Sequence, residues 1–112
     1  MKDLEEKLGY TFANKHLLEG ALYHSSYANE NRGSGISSNE RLEFLGDAVL
    51  GMVVADHLFR SHPDMPEGEL TRTRAALVCE GSLVKVAEEL NLGQHLKLGK
   101  GEAAGGLSLI HI

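Results

Sequence analysis

Asn39-Glu40-Arg41-Leu42-Glu43-Phe44-Leu45-Gly46-Asp47-Ala48-Val49-Leu50 is the stretch on which the reading of this chain turns. On a helix advancing about 100° per residue from Glu40, Glu43 falls at about 300° and Asp47 at about 340°. Three carboxylates therefore lie within about 60° of one another. Leu42, Leu45, Val49, Met52, Val53 and Phe59 fall between about 100° and 220°, opposite the acids. This pattern predicts a helix with an acidic stripe facing solvent and an apolar stripe facing the core. Gly51, at about 20°, stands beside the acids and leaves room for something to approach closely. The helix is expected to open with a capping box, Ser37 as cap and Glu40 three residues on. It should run to about Ser61, because Pro63 prevents extension.

Carboxylates one and two turns apart on a rigid support suit Mg²⁺, a hard cation that prefers oxygen ligands and keeps several waters. Two or three acids from one helix do not complete such a site. Phosphodiester hydrolysis needs further ligands from another element and the substrate phosphate itself. Acids on one helical face are also the ordinary pattern of a solvated surface, and like charges four residues apart are mildly destabilising. The spacing alone leaves both readings open.

Outward from this helix the chain reads as helices joined by polar loops, because Leu, Ala, Glu and Lys recur at helical intervals and no alternating Val/Ile/Thr run occurs. A short first helix is predicted from Leu4 to Leu8, ending at Gly9. A second begins near Asn14, a good N-cap, with Leu17, Leu18, Ala21 and Leu22 on one face. Ser25 to Ser38 is expected to be a loop. Pro63 and Pro66 fix a turn, after which a fourth helix carries Leu70, Arg74, Leu77 and Val78. A fifth covers Leu83 to Leu90 and closes at Asn91-Leu92-Gly93. From Gly99 the sequence becomes glycine-rich, and Leu107-Ser108-Leu109-Ile110-His111-Ile112 is an apolar tail without turn or cap signals. The expected fold class is all-α, with about five helices.

A length of 112 residues suits one compact domain, and 42% apolar residues suit an ordinary water-soluble protein. No apolar run approaches a membrane span, and Met1 to Lys7 does not read as a signal peptide. Cys79 is the one cysteine, which excludes an intrachain disulfide and a cysteine metal cluster and fits a reducing, cytoplasmic setting. The net charge of −5 argues against gripping RNA through a broad basic surface. It does not exclude a nucleic-acid enzyme whose metal-holding acids supply that charge.

The string from Asn39 to Leu50 resembles the signature stretch of the ribonuclease III family at every position. The resemblance extends to Leu8-Gly9-Tyr10-Thr11-Phe12, to Leu17 through Tyr27, to Gly68 through Val78, and to Leu92-Gly93 through Leu98-Gly99-Lys100-Gly101-Glu102. Tyr23 departs from it, since threonine is commoner there. The resemblance implies a ribonuclease III catalytic domain over residues 1–106, incomplete at its C-terminal side, followed by an unrelated tail at 107–112. It further implies a Mg²⁺-dependent endoribonuclease, with Mn²⁺ able to substitute. Such an enzyme cleaves double-stranded RNA to 5′-phosphate and 3′-hydroxyl ends in rRNA and mRNA processing.

Residue by residue, Glu43 and Asp47 match the family's metal ligands, and Asp47 matches the position treated as catalytic. Glu40 corresponds to an acid near the scissile strand, and Glu67 to another acid across the dimer, both as RNA contacts. The family is homodimeric through the signature helix, where Phe44 would serve either the dimer contact or the edge of the monomer core. The family completes its metal site with an Asp and a Glu three residues apart on a later helix. No such helix follows Glu102 here, so the fragment alone is expected to be inactive.

Other features carry less. Gly93 to Lys100 lacks the spacing and the Ser/Thr of a phosphate loop. The histidines at 16, 24, 57, 62, 95 and 111 show no metal-binding helical pair. Asp56, inside the apolar stripe, needs a partner if buried. Arg72 and Arg74 suit either RNA phosphate or the acidic stripe. Two competing readings are a catalytically inactive ribonuclease III-like module binding RNA or ribosomes, and a helical dimerisation domain indifferent to Mg²⁺.

Overall fold

A computed structural model describes residues 2–99. Six helices occur there: α1 (Lys2–Leu8), α2 (Lys15–Ala21), α3 (Ser25–Glu30), α4 (Glu40–Ser61), α5 (Glu67–Leu77) and α6 (Glu80–Glu89). A 3-10 turn follows at Leu92–Gln94. No strand is present among the described residues beyond one parallel bridge between Tyr23 and Lys97. The all-α expectation holds, with one helix more than predicted. The predicted tail at 107–112 lies outside the described residues.

The first helix ends where Gly9 takes φ +69°, a left-handed conformation that costs glycine little. Asn14 caps α2 as expected, its Oδ1 accepting from the His16 N–H at 3.0 Å. Leu18 and Leu22 are buried from this helix, whereas Leu17 is 59% exposed. Leu4, Leu18 and Leu22 form the apolar centre, against which Phe12, Leu90, Leu92 and Leu96 pack. This cluster joins the two ends of the described chain.

Glu5 braces the same region from beneath. It is only 7% exposed, and its carboxylate accepts from the Phe12 N–H at 2.6 Å and from the Lys15 ammonium at 2.6 and 2.8 Å. Those two donors, Lys15 first, hold its pKa below the ordinary glutamate value.

The loop expected at Ser25–Ser38 begins instead with α3. His24 caps it, with Nδ1 accepting from the Ser26 N–H at 3.1 Å, a cap outside the usual Ser/Thr/Asp/Asn set. Tyr23, the departure from the family pattern, stacks on Tyr27 with ring centroids 5.5 Å apart. The predicted capping box does not form. The cap of α4 is Asn39, whose side chain turns away to donate to the Ala21 carbonyl at 2.7 Å. Its backbone N–H donates to the Tyr23 carbonyl at 2.8 Å. Next to it, the Lys97 N–H donates to Leu22 and the Lys97 carbonyl accepts from His24. The start of α4 is thereby tied to the apolar centre through backbone bonds.

The far end of α4 stops at Ser61 with His62 as cap, as Pro63 requires. Pro66 then starts α5, and Asn91, in the left-handed region at φ 54°, terminates α6. Helix α5 packs on α4 and on α6.

The side of α4 turned toward these neighbours is not the predicted one. Leu58 is buried and Leu50 and Val54 are half-buried, all on the side that carries the acids. The expected core stripe stands in solvent: Leu42 45%, Leu45 59%, Val49 47%, Met52 66%, Val53 55% and Phe59 71% exposed. The physical reason lies along the helix. The acidic side of its first half continues as Leu50, Val54 and Leu58 at i, i+4, i+8, and these are less exposed than the predicted stripe, Leu50 lining the cleft toward α6 and Leu58 the one toward α5.

Candidate functional site

Helix α4 is 22 residues long and pinned at its first turn, so its side chains share one rigid support. Glu40, Glu43 and Asp47 are all exposed and all line a cleft of about 920 Å³ between α4 and α6. Phe44, Gly46 and Leu50 of α4 complete that wall. Glu80, Leu83, Val84, Ala87 and Leu90 of α6 form the opposite one. The floor is apolar and every charged residue lining the cleft is an acid. Four carboxylates around a low-dielectric groove focus a negative potential that attracts cations.

Among the described residues, none of these acids is held in an ion pair. Ion pairs among the described residues are Glu5 with Lys15, His16 with Glu19, and Asp56 with Arg60. Arg72 and Arg74 form no ion pair with the acidic stripe, so that alternative for them is not realised among the described residues. Asp56 is exposed and holds Arg60 at 2.9 Å, rather than being buried. Glu40, Glu43 and Asp47, which helical spacing sets on one face, all line this cleft, while its apolar wall on α6 went unread. Its signal was present: Leu83, Val84, Ala87 and Leu90 at helical spacing, one turn after Glu80.

Glu67 is not brought to this cleft. It lines a second one of about 470 Å³, between the latter half of α4 and α5, with Met52, Asp56, Phe59 and Arg74. There its Oε1 accepts from the Thr71 hydroxyl at 3.1 Å. Phe44, left undecided between dimer contact and core edge, is 82% exposed and so does not fill the core of the described chain.

The donor chemistry of Glu43 and Asp47 fits a hard divalent cation, being carboxylate oxygens on adjacent turns without a competing cation. The set is partial: no group of three metal-ligating side chains comes together among the described residues.

The described residues thus form an all-α domain that presents carboxylates from one long helix along an apolar-floored cleft. The comparisons narrow the class. A family model described as Ribonuclease-III-like matches residues 14–109. The chain is similar to Ribonuclease 3 of Oceanobacillus iheyensis, 57% identical over 106 residues that cover 95% of this chain and 46% of that protein. Ribonuclease 3 of Symbiobacterium thermophilum is 55% identical over 101 residues, covering 90% and 42% respectively. A solved nuclease domain of ribonuclease III from Campylobacter jejuni superposes with TM-score 0.86 at 42% identity, covering 97% of this chain and 75% of that one. The chain therefore belongs to the ribonuclease III-like family, and it spans about half the length of the curated relatives it matches.

Proposed function

We propose that the protein to which this chain belongs is a Mg²⁺-dependent endoribonuclease that cleaves double-stranded RNA, with Mn²⁺ able to substitute. Its products carry 5′-phosphate and 3′-hydroxyl ends, and its work is rRNA and mRNA processing in the cytoplasm. The observation that carries the reading is the pair Glu43 and Asp47. They are exposed, share one face of a pinned helix, and line a cleft whose charged residues are all acidic. Retaining like charges side by side costs stability unless a cation offsets them.

Glu43 and Asp47 bind the ion, and the rigidity of α4 orients them at little reorganisation cost. When bound, Mg²⁺ supplies Lewis-acid activation of water and stabilises the leaving oxygen. Glu40, one turn ahead of Glu43, faces the approaching RNA strand, and Glu67 contacts RNA from the other subunit of a homodimer. The Campylobacter nuclease domain is described as having a region involved in dimer formation, which supports that assembly. The 112-residue chain holds two ligands of the four expected and is inactive alone.

The test is cleavage of labelled duplex RNA with Mg²⁺ by the full-length parent and by this chain. Cleavage by the parent, lost in Asp47→Asn and absent with the chain, is expected. Parent activity that survives Asp47→Asn would refute the assignment. Turnover by the chain that Asp47→Asn abolishes would refute its inactivity.

A further inference from the structure

A cavity of about 380 Å³ lies where the end of α2 meets the 3-10 turn, lined by Glu19, Leu22, Tyr23, Gln94, His95 and Lys97. It shares no residue with the acidic cleft. Its volume falls within the range of about 300–1,000 Å³ that small-molecule sites occupy. Leu22, which is buried, contributes an apolar part. The other five residues bring an aromatic ring, a carboxylate, an amide, an imidazole and an ammonium group.

The backbone fixes how two of these stand. Tyr23 and Lys97 pair in a parallel bridge, the Lys97 N–H donating to the Leu22 carbonyl at 2.9 Å and the Lys97 carbonyl accepting from His24 at 3.1 Å. Residues paired across a bridge project their side chains to the same side. The phenol and the ammonium therefore leave the backbone together. Tyr27, stacked on Tyr23 with the rings 2° from parallel, does not line the cavity. One face of the Tyr23 ring is thus taken, and the stack braces it against turning. Among the described residues Glu19 has only the His16 imidazole, at 3.5 Å, and Lys97 pairs with no carboxylate. Both signs of charge stand beside an aromatic ring without neutralising each other.

We propose that this cavity binds a guanine nucleotide, its base stacked on Tyr23, its N1–H and N2 amino group donating to Glu19, and its phosphate on Lys97. Unpaired bases are held by stacking on aromatic side chains and by hydrogen bonds to their Watson–Crick edge. Guanine alone among the RNA bases sets two donors side by side on that edge, matching the two oxygens of a carboxylate. Adenine and cytosine place an acceptor beside the amino group, and uracil flanks its N–H with two carbonyls. Each would turn a lone pair toward Glu19. Gln94 and His95 remain to donate to O6 and N7, which are both acceptors. Threonine, commoner in the family at position 23, offers no ring, so the site is particular to chains with an aromatic residue there. The chemistry is read from this cavity; that the guanine is an unpaired residue of an RNA strand, and not a free nucleotide, rests on the ribonuclease reading.

The test is titration of the isotope-labelled 112-residue chain, in EDTA, with GMP, UMP and the ribopentamer UUGUU, followed by NMR. Amide shifts should saturate with GMP and gather at 19–23 and 94–97. UMP should bind at least about tenfold more weakly. Tyr23→Thr and Lys97→Ala should each weaken GMP binding about fivefold or more at unchanged far-ultraviolet dichroism. Lys85→Ala, an exposed lysine on α6 outside the cavity, should leave it unaltered. Glu19→Gln should remove the preference for GMP over UMP. A pentamer that binds more tightly than GMP assigns the site to RNA, and one that binds no more tightly assigns it to a free nucleotide. No saturation with GMP or the pentamer by about 10 mM would overturn the proposal. So would equal affinity for UMP, indifference to Tyr23→Thr, or shifts centred on Glu43 and Asp47. Because metal is left out, failure here leaves the Mg²⁺ reading standing, and failure of that reading leaves the cavity's preference for guanine.

Discussion

Leu22 ties packing to the site, which makes Leu22→Ala an informative perturbation. Its side chain is 4% exposed within the apolar centre, and its carbonyl receives Lys97, one residue from the Tyr23 carbonyl that receives Asn39 at the start of α4. Truncation to alanine removes three carbons, about 2.4 kcal/mol at 0.8 kcal/mol per buried methylene, plus a cavity contribution that brings the total to about 3 kcal/mol. Small domains hold only about 5–15 kcal/mol in all, so the loss is a large share. At about 4–8 °C per kcal/mol the melting temperature should fall by roughly 12–24 °C. The control is Leu17→Ala on the same helix, 59% exposed, which should stay within about 0.5 kcal/mol of the parent. Thermal melts of the 112-residue chain followed by circular dichroism at 222 nm measure both. Equal shifts in the two variants would refute the assignment of the buried face of α2, and with it the route by which the apolar centre holds α4.

Glu5 makes stability acid-sensitive: its pKa is depressed in the fold, so its contribution is present above the unfolded glutamate value and is lost as pH falls through the folded one. Melting temperatures of Glu5→Gln and the parent should therefore differ at pH 7 and converge only as pH falls from the ordinary glutamate value through the depressed folded one; a constant gap would contradict this. Asn39→Ala removes the hydrogen bond to Ala21 and should cost about 1 kcal/mol, while Ser37→Ala, outside the observed cap, should cost nothing measurable by urea titration. The reverse ranking would restore the capping box.

Local chemistry was legible wherever a residue's own backbone preference decides the outcome. Pro63 and Pro66 bracketed α4 and α5, Asn14 capped α2, and Asn91 closed α6, each through dihedral or hydrogen-bonding constraints internal to a few residues. Helix α3 was not legible, because its cap is the imidazole of His24, a residue type with no special claim to that role. Ser37 lost to Asn39 for a tertiary reason: Asn39 is held by Ala21 and Tyr23, eighteen and sixteen residues away, and a capping rule that looks only forward does not see them. The three acids were legible as a cluster because helical spacing alone brings Glu40, Glu43 and Asp47 to one face.

Which face of α4 is covered was not legible, and the reason reaches into the chemistry. A wheel over the whole helix sums two halves with different business on the same side. In the first half that side carries Glu43 and Asp47; in the second it carries Leu50, Val54 and Leu58. The second half packs on α5, while Glu43 and Asp47 of the first half, exposed, line the cleft whose other wall is α6. Under the proposed function, the helix that buries Leu58 also holds Glu43 and Asp47 one turn apart along that cleft, where a bound divalent cation would offset their like charges. Helix α4 is thus pinned at one end by backbone bonds and packed on α5 at the other, with Glu43 and Asp47 set between the two.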